Sequence, residues 1–234
     1  MRRSGEPTPA LIVRASEYFK ELGLAEHTME NEVLAAMRRA QSGDMDSARR
    51  QLTNLLSQAD SAESRAQVCL ALARLEWRAE RLGSAREHAR VGLTETPTGR
   101  STPPYLTASL LGLLAHVDVA EGLPDDAVQR LNHPAVRLML TWDTPVAAEI
   151  ALVVATIELC RDRPERAGRL LGAATVLGER DDLDDMPTIT QRVTAALGTA
   201  GFTAAHAAGT AMSRAMAEDL VSAIITAPGV GQRA

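Results

Sequence analysis

Aromatic side chains are scarce in this sequence, with two Phe, two Tyr and two Trp among 234 residues. Sandwiches and barrels draw heavily on aromatic and β-branched residues, so this composition speaks against them. The apolar mass is Ala, Leu and Val, which suits stacked helices: Ala lets backbones approach and Leu fills the gaps. Lysine is almost absent as well. Lys20 is the only one, every other basic side chain is Arg, and the net charge is −5. No basic cluster resembles a phosphate-binding footprint, so direct nucleic-acid binding is not expected. Arg38–Arg39 and Arg49–Arg50 sit among acids and read as solvated helix faces. Only two cysteines occur, Cys69 and Cys160, both inside apolar helical stretches. They are expected to be small buried hydrophobes. Long hydrophobic runs are missing too. Ile150–Ile157 falls short of a membrane span, and Ala10–Val13 is too short for a signal-peptide core. The expectation is a cytoplasmic chain with no membrane segment.

What is present is a repeat. Four breaks interrupt apolar-periodic stretches, at Ser42–Asp46, Glu80–Ser84, Glu121–Asp125 and Arg161–Glu165. Each is followed by an alanine, Ala48, Ala85, Ala127 and Ala167, at spacings of 37, 42 and 40 residues. Twelve residues before each of these stands another alanine: Ala36, Ala73, Ala115 and Ala155. An apolar residue precedes each of those (Ala35, Leu72, Leu114, Val154). Leu52, Ala89, Leu131 and Leu171 follow the second alanine by four. Two helices of one hairpin can touch only where both carry small residues, with larger side chains interlocking around the contact. Pro124 and Pro164 suit the first helical position of a second helix, and Asp44 and Ser84 are natural N-caps. Thr96–Pro104, including Pro97, reads as the one linker-like loop.

These features predict an all-α chain, an α-solenoid of antiparallel helical hairpins. Helices are expected over 10–22, 29–41, 44–58, 61–81, 84–95, 104–121, 124–132, 144–161, 164–180, 187–198 and 214–226. The segment 134–140 is expected to be an irregular turn. The organisation is a single domain over 1–234, with an N-terminal cap helix in 1–28, four hairpins in 29–180 and C-terminal capping helices in 181–234.

Small residues at the eighth and twentieth positions of the unit, with a proline near the thirty-second, resemble the tetratricopeptide repeat. A second resemblance lies further on. Arg169-Leu170-Leu171-Gly172-Ala173-Ala174 is followed by Gly201-Phe202, Ala205-His206, Gly209 and Met212-Ser213. Over Pro164–Ile225 this is similar to the C-terminal helical region of large ATP-binding transcriptional regulators of the SARP and LuxR (MalT-like) types, with His206 where that family usually has Trp. The resemblance implies a regulatory interaction module whose partner is a protein or peptide segment, other domains of the same regulator included. The alternative is a stand-alone accessory protein holding a peptide or small apolar ligand in a concave groove. No GxxxxGK[ST] loop is present to bind nucleotide, because Lys20 stands in Phe-Lys-Glu.

In tetratricopeptide-like hairpins, positions two, five, nine and twelve of the first helix face the groove. The resemblance therefore implies partner-binding stripes at Gln67, Leu70, Arg74 and Trp77; at Ser109, Gly112, His116 and Val119; and at Glu149, Leu152, Thr156 and Leu159. Each follows one helical face. Trp77 beside Arg74 is typical interface hot-spot chemistry; the alternative is that Trp77 packs against the neighbouring hairpin.

Catalysis is not expected. Asp181-Asp182-Leu183-Asp184-Asp185 fits the DDxxD pattern that holds Mg²⁺ in helical terpene synthases, but no second metal motif accompanies it and the aromatics for such a pocket are lacking. It reads as a solvated acidic turn. The histidines (His27, His88, His116, His133, His206) show no paired metal-ligand spacing, and no GxSxG elbow occurs. Neither a cofactor nor a metal is expected.

Overall fold

The computed structural model describes residues 9–96, 103–142, 144–178 and 186–227. Among them are twelve helices and no strand: α1 (Pro9–Glu21), α2 (Ala25–Gln41), α3 (Met45–Gln58), α4 (Ala62–Arg78), α5 (Leu82–Thr94), α6 (Pro104–Ala120), α7 (Pro124–Leu131), α8 (Pro134–Trp142), α9 (Thr144–Cys160), α10 (Pro164–Leu177), α11 (Met186–Thr210) and α12 (Arg214–Ile225). The chain divides into two compact units, Met1–Pro103 and Pro104–Ala234. Pro97 and most of the expected linker fall outside the described residues, as does the acidic run Asp181–Asp185.

In the first unit α1 packs on α2, α2 on α3 and α4 on α5, with α3 and α2 both against α4. Its core gathers Val33, Ala36, Leu52, Leu55, Val68, Ala71 and Leu72, sealed by Met29, Met37 and Leu56. In the second unit α6 packs on α7, α8 and α9, α9 on α10, and α10 on α11 and α12. No single helix described here is long and apolar enough to cross a membrane. The apolar run of α9 is instead buried from Val146 through Glu158, apart from a half-buried Glu149.

All eight repeat alanines are fully buried, from Ala36 and Ala48 through Ala155 and Ala167. They lie on the pairs α2–α3, α4–α5, α6–α7 and α9–α10, each of which packs together. Leu52, Ala89, Leu131 and Leu171 are fully buried too. The turns within these pairs are equally regular. The N–H groups of Asp44, Arg81, Leu123 and Arg163 donate to the carbonyls five residues back, on Arg39, Glu76, Asp118 and Glu158. The residue before each donor is left-handed: Gly43, Glu80, Gly122 and Asp162. This is the Schellman closure, which satisfies the last carbonyls of one helix and reverses the chain for the next. The α1–α2 turn has the same form, with Gly23 left-handed and Leu24 N–H donating to the Phe19 carbonyl.

Glycine fills the left-handed position in three of these turns, whereas Glu80 (φ 56°) and Asp162 (φ 58°) carry a side chain there. A Cβ in that region is penalised. Glu80→Gly and Asp162→Gly should each raise the unfolding free energy by about 0.5–1 kcal/mol, the relief exceeding glycine's extra chain entropy. A denaturation midpoint that falls in both variants would count against this reading of the turns.

Three expectations about the helices need correction. The segment 134–140 is helical, part of α8. Pro134 fits the first turn, Ala135 N–H donates to His133 Nδ1 at 3.2 Å, and Val136, Met139 and Leu140 bury one face at helical spacing. Residues 199–210 are also helical. α11 is two helices joined at a kink: Gly198 takes the non-helical angles φ 71°, ψ 165° and ends the first, and a second helix follows directly. Ser84 is not an N-cap. The left-handed residue at Glu80 fixes the register, so α5 starts at Leu82 with Arg81 in the cap position and no side-chain cap. Asp44 does cap α3, accepting from Ser47 N–H at 3.2 Å. Its hydrogen bonds from Ser47 hold its carboxyl below the usual carboxylate range.

The cysteines divide. Cys69 is fully buried in α4, and burial pushes its thiol up to about 11. Cys160, expected to be buried, is exposed instead, because it is the last residue of α9 and lies beyond the buried stretch. A thiol reagent at neutral pH should therefore modify one thiol rapidly and the other only on unfolding. Two equally fast thiols would contradict the burial of Cys69.

Candidate interaction surface

Burial divides the stripes implied by the tetratricopeptide resemblance. On α4, Gln67, Arg74 and Trp77 are half-buried while Leu70 is buried. On α6, Ser109, Gly112, His116 and Val119 are all buried. A Cβ on Gly112 would meet Ile150 Cδ1 at 2.9 Å, so α6 crosses α9 closely there. On α9, Leu152 and Thr156 are buried, and the Thr156 hydroxyl donates to the Leu152 carbonyl of its own helix at 3.0 Å. Glu149 and Leu159 are half-buried. The α4 stripe belongs to the first unit and the other two to the second. The accessible polar and aromatic groups of the set are thus Gln67, Arg74 and Trp77 on α4 and Glu149 on α9.

The repeat register also places chemistry that the stripes do not include. Nine residues before each second-helix alanine stand Arg39, Glu76, Asp118 and Glu158, the residues whose carbonyls close the turns. The three acids are buried, and each meets arginine. Arg49 Nε donates to Glu76 Oε1 at 2.6 Å, and Arg81 Nε lies 3.1 Å from Glu76 Oε2. Arg130 Nε donates to Asp118 Oδ2 at 2.7 Å. Around Glu158 stand Arg161 and Arg163 at 3.5 Å and Arg166 at 3.2 Å. Neither Glu158 oxygen accepts a hydrogen bond, so these guanidiniums supply its compensation. The hydrogen bond from Arg49 to Glu76 holds the Arg49 guanidinium above its ordinary pKa. In the first pair the position is Arg39, which bonds Gln51 across α2–α3 at 3.0 Å. A buried carboxylate must be paired, so each acid ties its turn to a neighbouring helix. Reading the sequence nine residues before Ala85, Ala127 and Ala167 would have found them.

The motif over Pro164–Ile225 acquires a physical meaning. A Cβ on Gly172 would run into the His206 carbonyl and lie 2.8 Å from Gly209 Cα; one on Gly209 would run into the Arg169 carbonyl. A turn earlier, a Cβ on Gly168 would meet Ala205 Cβ at 2.9 Å. The small residues at 168, 172, 205 and 209 therefore mark where α10 and the second half of α11 cross backbone to backbone. His206 packs beside Phe202, with ring centroids 5.4 Å apart.

Among the described residues no group of three or more His, Cys, Asp or Glu side chains could hold a metal ion. No protein family, curated protein or solved structure matches the chain.

Proposed function

We propose that this chain is a non-catalytic regulatory module. It forms an α-solenoid of tetratricopeptide-like hairpins that holds a protein or peptide segment, in the manner of the helical region of SARP and LuxR (MalT-like) regulators. The observation that carries the reading is the register itself: four pairs of alanines, twelve residues apart within each pair, all fully buried at helix pairs closed by one recurring turn. Stacked repeats of this kind expose faces of successive first helices, and such faces bind extended or helical segments. The accessible groups Gln67, Arg74 and Trp77 supply one turn-spaced contact line on α4, with an aromatic and a guanidinium of the type that dominates interfaces.

Photo-crosslinking tests it. A photoreactive residue replacing Gln67 should capture a defined protein in the native host, whereas the same group at exposed Arg90 on α5 should not. Equal capture from both positions, or none from Gln67, would remove the support for this surface.

A further inference from the structure

The α1 helix, with Leu22 of the turn directly after it, leaves an apolar line uncovered. Leu11 is 53% exposed, Tyr18 62% and Leu22 56%, while the half-buried Ala15 completes the line. Their spacing of four, three and four is that of a coiled-coil seam, in which the core positions of one helix meet those of another. The neighbour of α1 in its own unit is α2, which takes a different side through the Phe19–His27 ring contact.

The charges beside this line are self-complementary. Arg14 and Glu21 each precede a core position, Ala15 and Leu22, by one residue, so both flank the same edge of the line, and both are exposed. Turning a second α1 antiparallel sets Leu11 against Leu22 of the other copy and Ala15 against Tyr18. On the shared edge, Arg14 then faces Glu21 of the second copy, and the two-fold axis makes that pair twice. A parallel arrangement brings no such pairing. Lys20 is already engaged by Glu32 of its own chain at 2.6 Å. The four charges of α1, Arg14, Glu17, Lys20 and Glu21, cancel, so the two helices themselves carry no net charge against one another.

We propose that the occupant of this line is a second copy of the chain, docked through antiparallel α1 helices. Thirteen residues span only about 20 Å. Such an interface falls below the roughly 1,200–2,000 Å² of a standard complex, which makes the dimer weak and concentration-dependent.

Sedimentation of the whole chain over about 5–500 µM, at low ionic strength where exposed pairs count most, tests this. The wild type should pass reversibly from monomer to dimer. Arg14→Glu replaces both attractions with Glu–Glu repulsions and should raise the dissociation constant about tenfold. Arg14→Glu combined with Glu21→Arg restores the complementarity with charges exchanged and should return the constant near the wild-type value. Circular dichroism on each variant checks that α1 stays helical. A wild type that is monomeric throughout overturns the proposal. So does an Arg14→Glu variant that dimerises like the wild type, or a folded double variant that fails to recover.

Discussion

Gly172→Ala and Gly209→Ala should each lower the unfolding free energy by about 3 kcal/mol or more, at the upper end of overpacking costs. The added methyl on Gly172 would enter the His206 carbonyl and press on Thr210 N at 2.8 Å; that on Gly209 would enter the Arg169 carbonyl and press on Ala173 N at 2.9 Å. These are backbone atoms held within two helices, so no rotamer change can make room and the helices must separate. The neighbouring Leu170, Leu171 and Ala173 are fully buried and would lose contacts as they do. Two glycines act as controls. Gly168→Ala crowds one side-chain atom, Ala205 Cβ, with Val193 and Leu197 at ordinary contact distance and no backbone in the way, and should cost less. Gly83→Ala in α5 meets nothing within 4 Å and should be neutral or slightly stabilising, because it removes a helix glycine. Thermal denaturation of the four variants checks the order. Gly172→Ala as stable as Gly83→Ala would mean that α10 and α11 do not cross in this way.

Arg130→Met should be the next most damaging change, costing about 3 kcal/mol. Asp118 is 1% exposed, and Arg130 Nε donates to it at 2.7 Å. Methionine keeps much of the arginine stem's packing while removing the guanidinium, so the loss reports the ion pair and hydrogen bond that Arg130 gives Asp118. Asp118→Asn alone should cost less, since the partly exposed Arg130 can turn to water. The double variant should be more stable than the sum of the two losses implies, by about 1–2 kcal/mol of coupling. Additive losses would show that the pair does not work as a unit, and the recurring buried acids would then lose their role as ties between turn and helix.

Much of this architecture is legible in the sequence because helix-pair contacts leave a compositional trace. Where two helices touch, only a small residue fits, so the alanines at 36, 48, 73, 85, 115, 127, 155 and 167 announce their own burial. Turn chemistry is legible only when glycine writes it. Gly43 and Gly122 mark their turns, but Glu80 and Asp162 occupy the same conformation with residues that give no such sign, and the start of α5 is misplaced as a result. α8 is hidden because Asn132-His133-Pro134 looks like a loop, although a proline in the first turn is also how a helix begins. The continuation through 199–210 is hidden by Gly198 and by small residues without an apolar stripe, since that face buries glycine against glycine. Contact stripes are harder still. Helical periodicity places Ser109, His116 and Val119 on one face of α6, but it cannot say that the face is covered. Cys160 fails in the opposite direction: the apolar text of α9 continues to the end of the helix, and burial stops two residues earlier.

The most direct measurement is calorimetric titration of the whole chain with the partner segment captured at Gln67. Arg74→Ala and Trp77→Ala should each weaken the dissociation constant about fivefold or more, beyond the ~1 kcal/mol that marks an interface hot spot. Helical circular dichroism and the melting temperature should stay close to wild type. Glu87→Ala, on the exposed surface of α5, should bind unchanged. Wild-type affinity in both the Arg74 and Trp77 variants, with the fold intact, would contradict the assignment of this helix face as the working surface of the protein.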